Sequence, residues 1–261
     1  MKKLLLTYCI ILISASQLSC EIVLDRFTED KFKPIIFAGI GWDLGQNADK
    51  FLELYSKGFG GNVLDFSTSP TVLLEYKSWI MRKMRLAIAS SFVNYSYFDE
   101  FWTLGTYITR SHTNEISFNR VPIMLKVEFI PHDKQFRSYA GAGVGVLLQH
   151  TKWRETIRSN FALDKRVSST LYDELEAFPG IIVYSGLELG FDEYPESFFL
   201  GSLIFQLDYC YFPNKMDIFK KARKVVDEPT PLLNRKIRIF ESYFSFAVGL
   251  SFNLLNISKN Q

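Results

Sequence analysis

Hydroxyl, imidazole and carboxylate side chains gather at two points of this chain. His112 stands beside Ser111 and three residues before Glu115, and His150 adjoins Thr151. Such groups within hydrogen-bond reach of one another make an activated nucleophile. These clusters are therefore where nucleophilic catalysis would be carried. The third histidine, His132, lies in the polar turn Pro131-His132-Asp133-Lys134 and is expected to be solvated. Three histidines in separate connections, with no Cys pair, give no zinc spacing. Gly58-Phe59-Gly60-Gly61 lacks the Lys-Ser/Thr that completes a phosphate loop. Since these residue types are common in polar loops, the expectation is a non-enzyme with no cofactor and no metal.

A second set of reactive groups is more informative. Asp43, Glu75, Lys77, Arg85, Lys126, Glu128, Glu188 and Asp208 each sit inside an alternating, largely apolar segment. None can face lipid, where a Lys or Arg at the bilayer midplane costs about 2–4 kcal/mol. None can lie alone in a dry core either. The chemistry open to them is mutual pairing in an enclosed polar interior.

The segments that hold these charges read as strands. Tyr243 to Phe252 alternates without a break, with Phe244, Phe246, Val248, Leu250 and Phe252 opposite Tyr243, Ser245, Ala247, Gly249 and Ser251. Successive strand side chains point to opposite faces, and about 9–11 residues suffice to cross a membrane as a tilted strand. About eight such strands are predicted, near 35–44, 71–80, 84–97, 115–130, 136–149, 180–191, 198–211 and 237–254. Three short turns (81–83, 131–134 and 192–196) alternate with long links at about 45–70, 98–114, 150–179 and 212–236. Short turns at one end and long loops at the other are the habit of outer-membrane barrels. Short helices are expected within the long links at 49–57 and 171–178, packing over the mouth. The last strand should pair with the first, and a charge at Val248 should block assembly where one at Ser245 is better tolerated.

Composition agrees. The chain has 261 residues, 24 Phe, 13 Tyr and a net charge of +2, with no clustered basic stripe of the kind nucleic acid needs. The basic run within 215–224 reads as a solvated loop. Residues 1–19 read as a secretory signal: Lys2 and Lys3, then the apolar run Leu4 to Ile13, then Ser14-Ala15-Ser16. Residues 20–261 form one barrel domain. Cys20, after Leu18-Ser19, is a candidate lipidation site, and Cys210 is expected to remain a thiol.

Three stretches carry a resemblance: Arg120 to Phe129, where Pro122 enters an alternating strand; Ser138 to Val146, which alternates with glycine; and the last strand ending at Phe252. On these the chain resembles the small bacterial outer-membrane β-barrel family, with its eight-stranded, porin-like or surface-antigen-like barrel. The resemblance implies an all-β, antiparallel, up-and-down transmembrane barrel in the outer membrane of a Gram-negative envelope. It also implies a last strand read by the barrel-assembly machinery; here Asn253 to Gln261 follow the aromatic Phe252. The expected role is structural or surface-interacting, as a monomer in contact with outer-membrane lipid and lipopolysaccharide, its interior filled by a polar side-chain network. The alternatives are a lipid-modifying outer-membrane enzyme, a narrow channel or small-ligand transporter, and a soluble periplasmic barrel with its apolar faces inward.

Overall fold

The computed structural model describes residues 34–44, 49–59, 66–81, 83–104, 109–131, 136–159, 162–191, 200–219 and 237–253. The signal segment, Cys20, the His132 turn, the turn at 192–196, the run at 220–224 and the tail after Asn253 lie outside them. Eight antiparallel strands close into one ring. They are β1 Ile35–Leu44, β2 Thr71–Met81, β3 Met84–Leu104, β4 Thr109–Phe129, β5 Phe136–Ser159, β6 Ala162–Gly190, β7 Leu200–Tyr211 and β8 Ser242–Asn253. Each pairs with the next in sequence, and β8 returns to β1 with Ile35 opposite Asn253 and Leu44 opposite Phe244. Closure removes every edge at this level, so each backbone donor and acceptor finds a ladder partner.

Side-chain alternation decides which face turns out. On β1, Ile40, Trp42 and Leu44 are exposed while Phe37 and Asp43 are buried. On β4, Leu125, Val127 and Phe129 are exposed, whereas Met124, Lys126 and Glu128 are buried. The ring is therefore apolar outside and charged inside, the reverse of a soluble barrel. From Phe129 to Val121, β4 gives five outward residues over about 20 Å of axial height at the usual strand rise and tilt. That approaches the band of roughly 25 Å that outer-membrane barrels present.

Above this band the fold departs from the sequence reading. The links at 98–114 and 150–179 are for the most part strand, because β3, β4, β5 and β6 run on as a four-stranded sheet far past the ends of β1, β2, β7 and β8. Residues 171–178 belong to β6 and are not helical. The polarity of the two faces inverts at the band's upper limit. Lower down, β4 buries Lys126 and Glu128; higher up it buries Ile116 and Phe118 while Ser117 and Asn119 face outward. The apolar-outward pattern ends where that polarity inverts, although the inward phase itself runs on unbroken. Register shifts between Trp153 and Arg154, and between Arg158 and Ser159, break the alternation further. The last strand begins at Ser242, not Ile237, which forms an isolated bridge with Met216.

Helix α1, Asp49–Phe59, covers the inner face of this raised sheet. Phe51, Leu52, Leu54 and Tyr55 fall on one side of it and are buried, while Lys57 and Glu53 pair one turn apart on the other at 2.5 Å. The chain at 216–219 and 237–240 covers the same face, burying Met216, Ile218, Phe219, Ile237, Ile239 and Phe240.

Candidate functional site

The lumen has two storeys. In the lower one, charge is paired with charge. Lys77 Nζ lies 2.7 Å from Glu128 Oε1 and 3.1 Å from Glu75 Oε2. Arg85 bridges Glu128 at 2.8 Å and Glu188 at 2.9 Å. Lys126 donates to Glu75 at 2.5 Å and approaches Asp208 at 3.8 Å, and Arg137 reaches Glu188 at 3.3 Å. Neutral groups complete the mesh: Gln206 donates to Glu75 and Asp208, Tyr139 donates to Gln206, and Ser202 donates to Glu188. Tyr139 and Tyr184 lie under the ammonium groups of Lys77 and Lys126, 4.7 Å and 4.4 Å from the ring centres. Two glycines make room for those rings. A Cβ on Gly186 would stand 2.3 Å from the Tyr139 ring, and one on Gly141 would stand 2.6 Å from the Tyr184 ring.

Asp43 lies one layer above, accepting from Thr71 at 3.1 Å and from Tyr95 at 2.6 Å. So all eight charged residues singled out in the sequence face the lumen and are buried. Sequence reasoning missed Arg137 and Arg120. Arg120 continues the inward phase of Glu128, Lys126, Met124 and Pro122, and that two-residue step was the available signal. Its guanidinium lies among the rings of Tyr95, Phe240 and Tyr243, 4.7 Å from the last, and donates to the Phe240 carbonyl at 3.2 Å. With these two, the described residues of the lower storey and the layer above it place five carboxylates (Asp43, Glu75, Glu128, Glu188, Asp208) beside five cations (Lys77, Arg85, Lys126, Arg137, Arg120), while the buried Asp99 and Glu155 belong to the upper storey. A cavity of about 20 Å3, bounded in part by Lys126, Asp208, Cys210 and Ser245, is enough for about one water. The Cys210 thiol is free and buried.

The upper storey corrects the expectation of a wholly polar filling, because here the lumen is aromatic. Phe51 of α1 packs on Phe66, Phe118 and Phe219, with ring centres 5.7, 5.9 and 5.1 Å away. Phe240 stacks on Tyr95 at 4.4 Å. It holds a left-handed backbone, φ 54°, a conformation uncommon for a bulky residue, and its fixed ring and carbonyl hold it there. Tyr55 packs on Tyr97 and Trp153 and donates to Asp99 at 3.0 Å. Burial, then the charge of Asp99, pushes the Tyr55 hydroxyl well above its ordinary range. A group whose pKa is raised by docking contributes stability that is complete below its undocked value, about 10, and is lost as pH rises past it. Protease cleavage around α1 is therefore expected to accelerate above about pH 10, and in Tyr55→Phe that acceleration should disappear.

At the rim, the catalytic clusters read from the sequence are drawn apart. Ser111 donates to Glu100 at 3.1 Å, whereas His112 Nδ1 meets Glu155 at 3.1 Å under the stacked ring of Phe101. Glu115 is exposed on the outer face. His150 points outward to Asp173 at 2.7 Å, while its neighbour Thr151 is buried inside. Hydroxyl and imidazole thus take different partners in both places. Among the described residues, no group of three or more His, Cys, Asp or Glu is placed to hold a metal ion.

No family model matches the chain, and no curated protein matches it. Among solved structures it is similar to Neisserial surface protein A, with 10% identity and a TM-score of 0.39 over 86% of this chain and 98% of that one. It is also similar to Ail, the attachment invasion locus protein of Yersinia pestis, solved with the heparin analogue sucrose octasulfate. There the identity is 12% and the TM-score 0.31, over 85% of this chain and 99% of that one. The translocator domain of the autotransporter NalP from Neisseria meningitidis gives 8% identity and a TM-score of 0.35, over 94% and 99%. The barrel assignment rests on the chain's own hydrogen-bonded ring of eight strands.

Proposed function

We propose that this chain is an integral protein of the bacterial outer membrane with a structural or surface-interaction role. One observation carries the reading: a closed ring bears a predominantly apolar band outside and paired charges inside. Exposed residues such as Ile40, Leu125, Val144, Val183 and Phe205 form a surface that water disfavours and acyl chains accept. Lipid, lipopolysaccharide and the barrel-assembly machinery are the corresponding partners, and the chain acts as a monomer. The role read here is non-catalytic; among the described residues Ser111 and His112 take different carboxylate partners. The filled lumen favours an anchor over a channel, with the raised sheet of β3 to β6 as the part offered to the outside.

The test is fractionation of cells that express the full chain, with gel migration before and after boiling. The expected outcome is recovery with outer membranes and a band that shifts on heating. Recovery in the soluble periplasmic fraction would overturn the proposal. In planar bilayers the purified barrel is expected to give no steady conductance.

A further inference from the structure

We infer that the outward face of the raised sheet binds the sugar chain of a neighbouring lipopolysaccharide through its uncharged hexoses. This rests on the membrane placement proposed above and assigns the surface that meets saccharide.

Height and direction select the occupant. Leu148 belongs to the top of the band on β5. Arg154 and Arg158 follow on the same strand, roughly 15 and 25 Å further along the barrel axis at the usual strand rise and tilt. The headgroup layer reaches about 5–7 Å beyond the hydrocarbon core, so both positions stand clear of it. Strand register sets Phe98 and Glu115 level with Arg154, and Trp102 level with Arg158. On this face side chains point outward from the barrel wall, as the apolar band does below them. At that height a wall facing sideways meets the saccharide of the surrounding lipopolysaccharide.

Two rings suit the face to sugar. Phe98 and Trp102 are 58% and 63% exposed, and among the described residues neither stacks on another ring. They lie four residues apart on one side of β3, about 13 Å, a span that a short run of sugar rings covers. A pyranose presents C–H bonds on its faces and hydroxyls around its rim. The C–H bonds meet the electron-rich face of an aromatic ring, and the hydroxyls need donors and acceptors beside it. The sheet supplies both. Glu100 lies between the two rings and accepts from Ser111 at 3.1 Å. Below it Ser96, Ser117, Glu115, Lys152 and Arg154 border, with Phe98, a cleft of about 350 Å3, within the range of ligand sites.

Charge selects the part of the sugar chain. The described charges of this face are Lys152, Arg154 and Arg158 against Glu100, Glu115 and Asp173, a sum of zero. Phosphates and acidic sugars would find their attraction offset by the three carboxylates. The hydroxyl of an uncharged hexose donates to a carboxylate and accepts from a cation. In lipopolysaccharide the phosphates and acidic sugars lie next to the lipid and the uncharged hexoses further out, which is where Trp102 stands.

The experiment is native mass spectrometry of the full chain in detergent, supplied with one of two lipopolysaccharides. One carries a complete core, and the other ends at the acidic sugars next to the lipid. The complete form is expected to be retained about tenfold or more over the truncated one. Trp102→Ala and Phe98→Ala should each weaken retention of the complete form about tenfold, the loss of one stacked ring, and leave the truncated form unchanged. Trp102→Phe should keep most of the retention, and Val167→Ala, on the opposite face of the sheet, all of it. Heat-modifiable migration of the same samples reports the barrel separately from this face. Equal retention of the two lipopolysaccharides by a heat-modifiable barrel would overturn the inference and leave the membrane placement standing. So would alanine variants that match the parent, or a preference for the truncated form.

Discussion

Glu128→Ala is expected to destabilise the folded barrel by about 3–5 kcal/mol, the usual penalty for removing one partner of a buried ion pair. Glu128 joins two cations, Lys77 at 2.7 Å and Arg85 at 2.8 Å, and all three side chains are almost completely buried. Its removal leaves the lumen one positive charge in excess, where little water can compensate. Lys77 keeps Glu75 and Arg85 keeps Glu188, so the loss is bounded. Adding Lys77→Met restores neutrality and should recover a large share of it, because a neutralised, well-packed interior is often as stable as the ion pair it replaces. Urea titration of the barrel in lipid vesicles measures both variants. A loss below about 1 kcal/mol for Glu128→Ala, the scale of an exposed pair, would mean that the lumen is wet and the pairs are screened.

The second large effect is expected on the opposite face. Val248 is the middle outward residue of β8, with Ile40 and Phe205 beside it across the ladder. Val248→Arg should cost about 2–4 kcal/mol in a bilayer, and less in the interfacial zones. Val167→Arg is the matched control, since Val167 is 63% exposed on β6 above the band; about 0–1 kcal/mol is expected there. Ser245 is less clean as a control. A charge at that position turns toward Asp43 and Asp208, its ladder neighbours, but must fit beside a cavity of only about 20 Å3. The folded fraction after dilution into vesicles, read as the heat-modifiable band, distinguishes these variants. Equal yields for Val248→Arg and Val167→Arg would mean that β8 does not face lipid.

Strands whose whole length lies in the band were legible as written. β1 runs over the residues its alternation indicates, Ile35 to Leu44, because every side chain there meets either lipid or the charged lumen. β5 was legible only as far as Gln149. Beyond it the outward residues are His150, Lys152 and Arg154 and the inward ones include Trp153, a pattern that reads as a polar loop when lipid is assumed outside. α1 was legible from its apolar spacing, but its docking under Phe118 and Phe219 was not. Ser111 and His112 stay apart for a local reason: adjacency in the chain puts the two side chains on different sides of an extended strand.

The sequence by itself determined the number and phase of the band strands and which eight charges must be enclosed. Both follow from an alternation of two and from the penalty for charge in hydrocarbon, which are local rules. Only the tertiary structure decided who pairs with whom. Lys77 meets Glu128 across 51 residues and Arg85 meets Glu188 across 103, and such distances are set by the closure and stagger of the ring. The same closure brings the chain at 216–219 and 237–240 over the raised sheet with α1, burying one aromatic storey above one ionic storey. No local pattern encodes that division, because it depends on which strands outlast their neighbours.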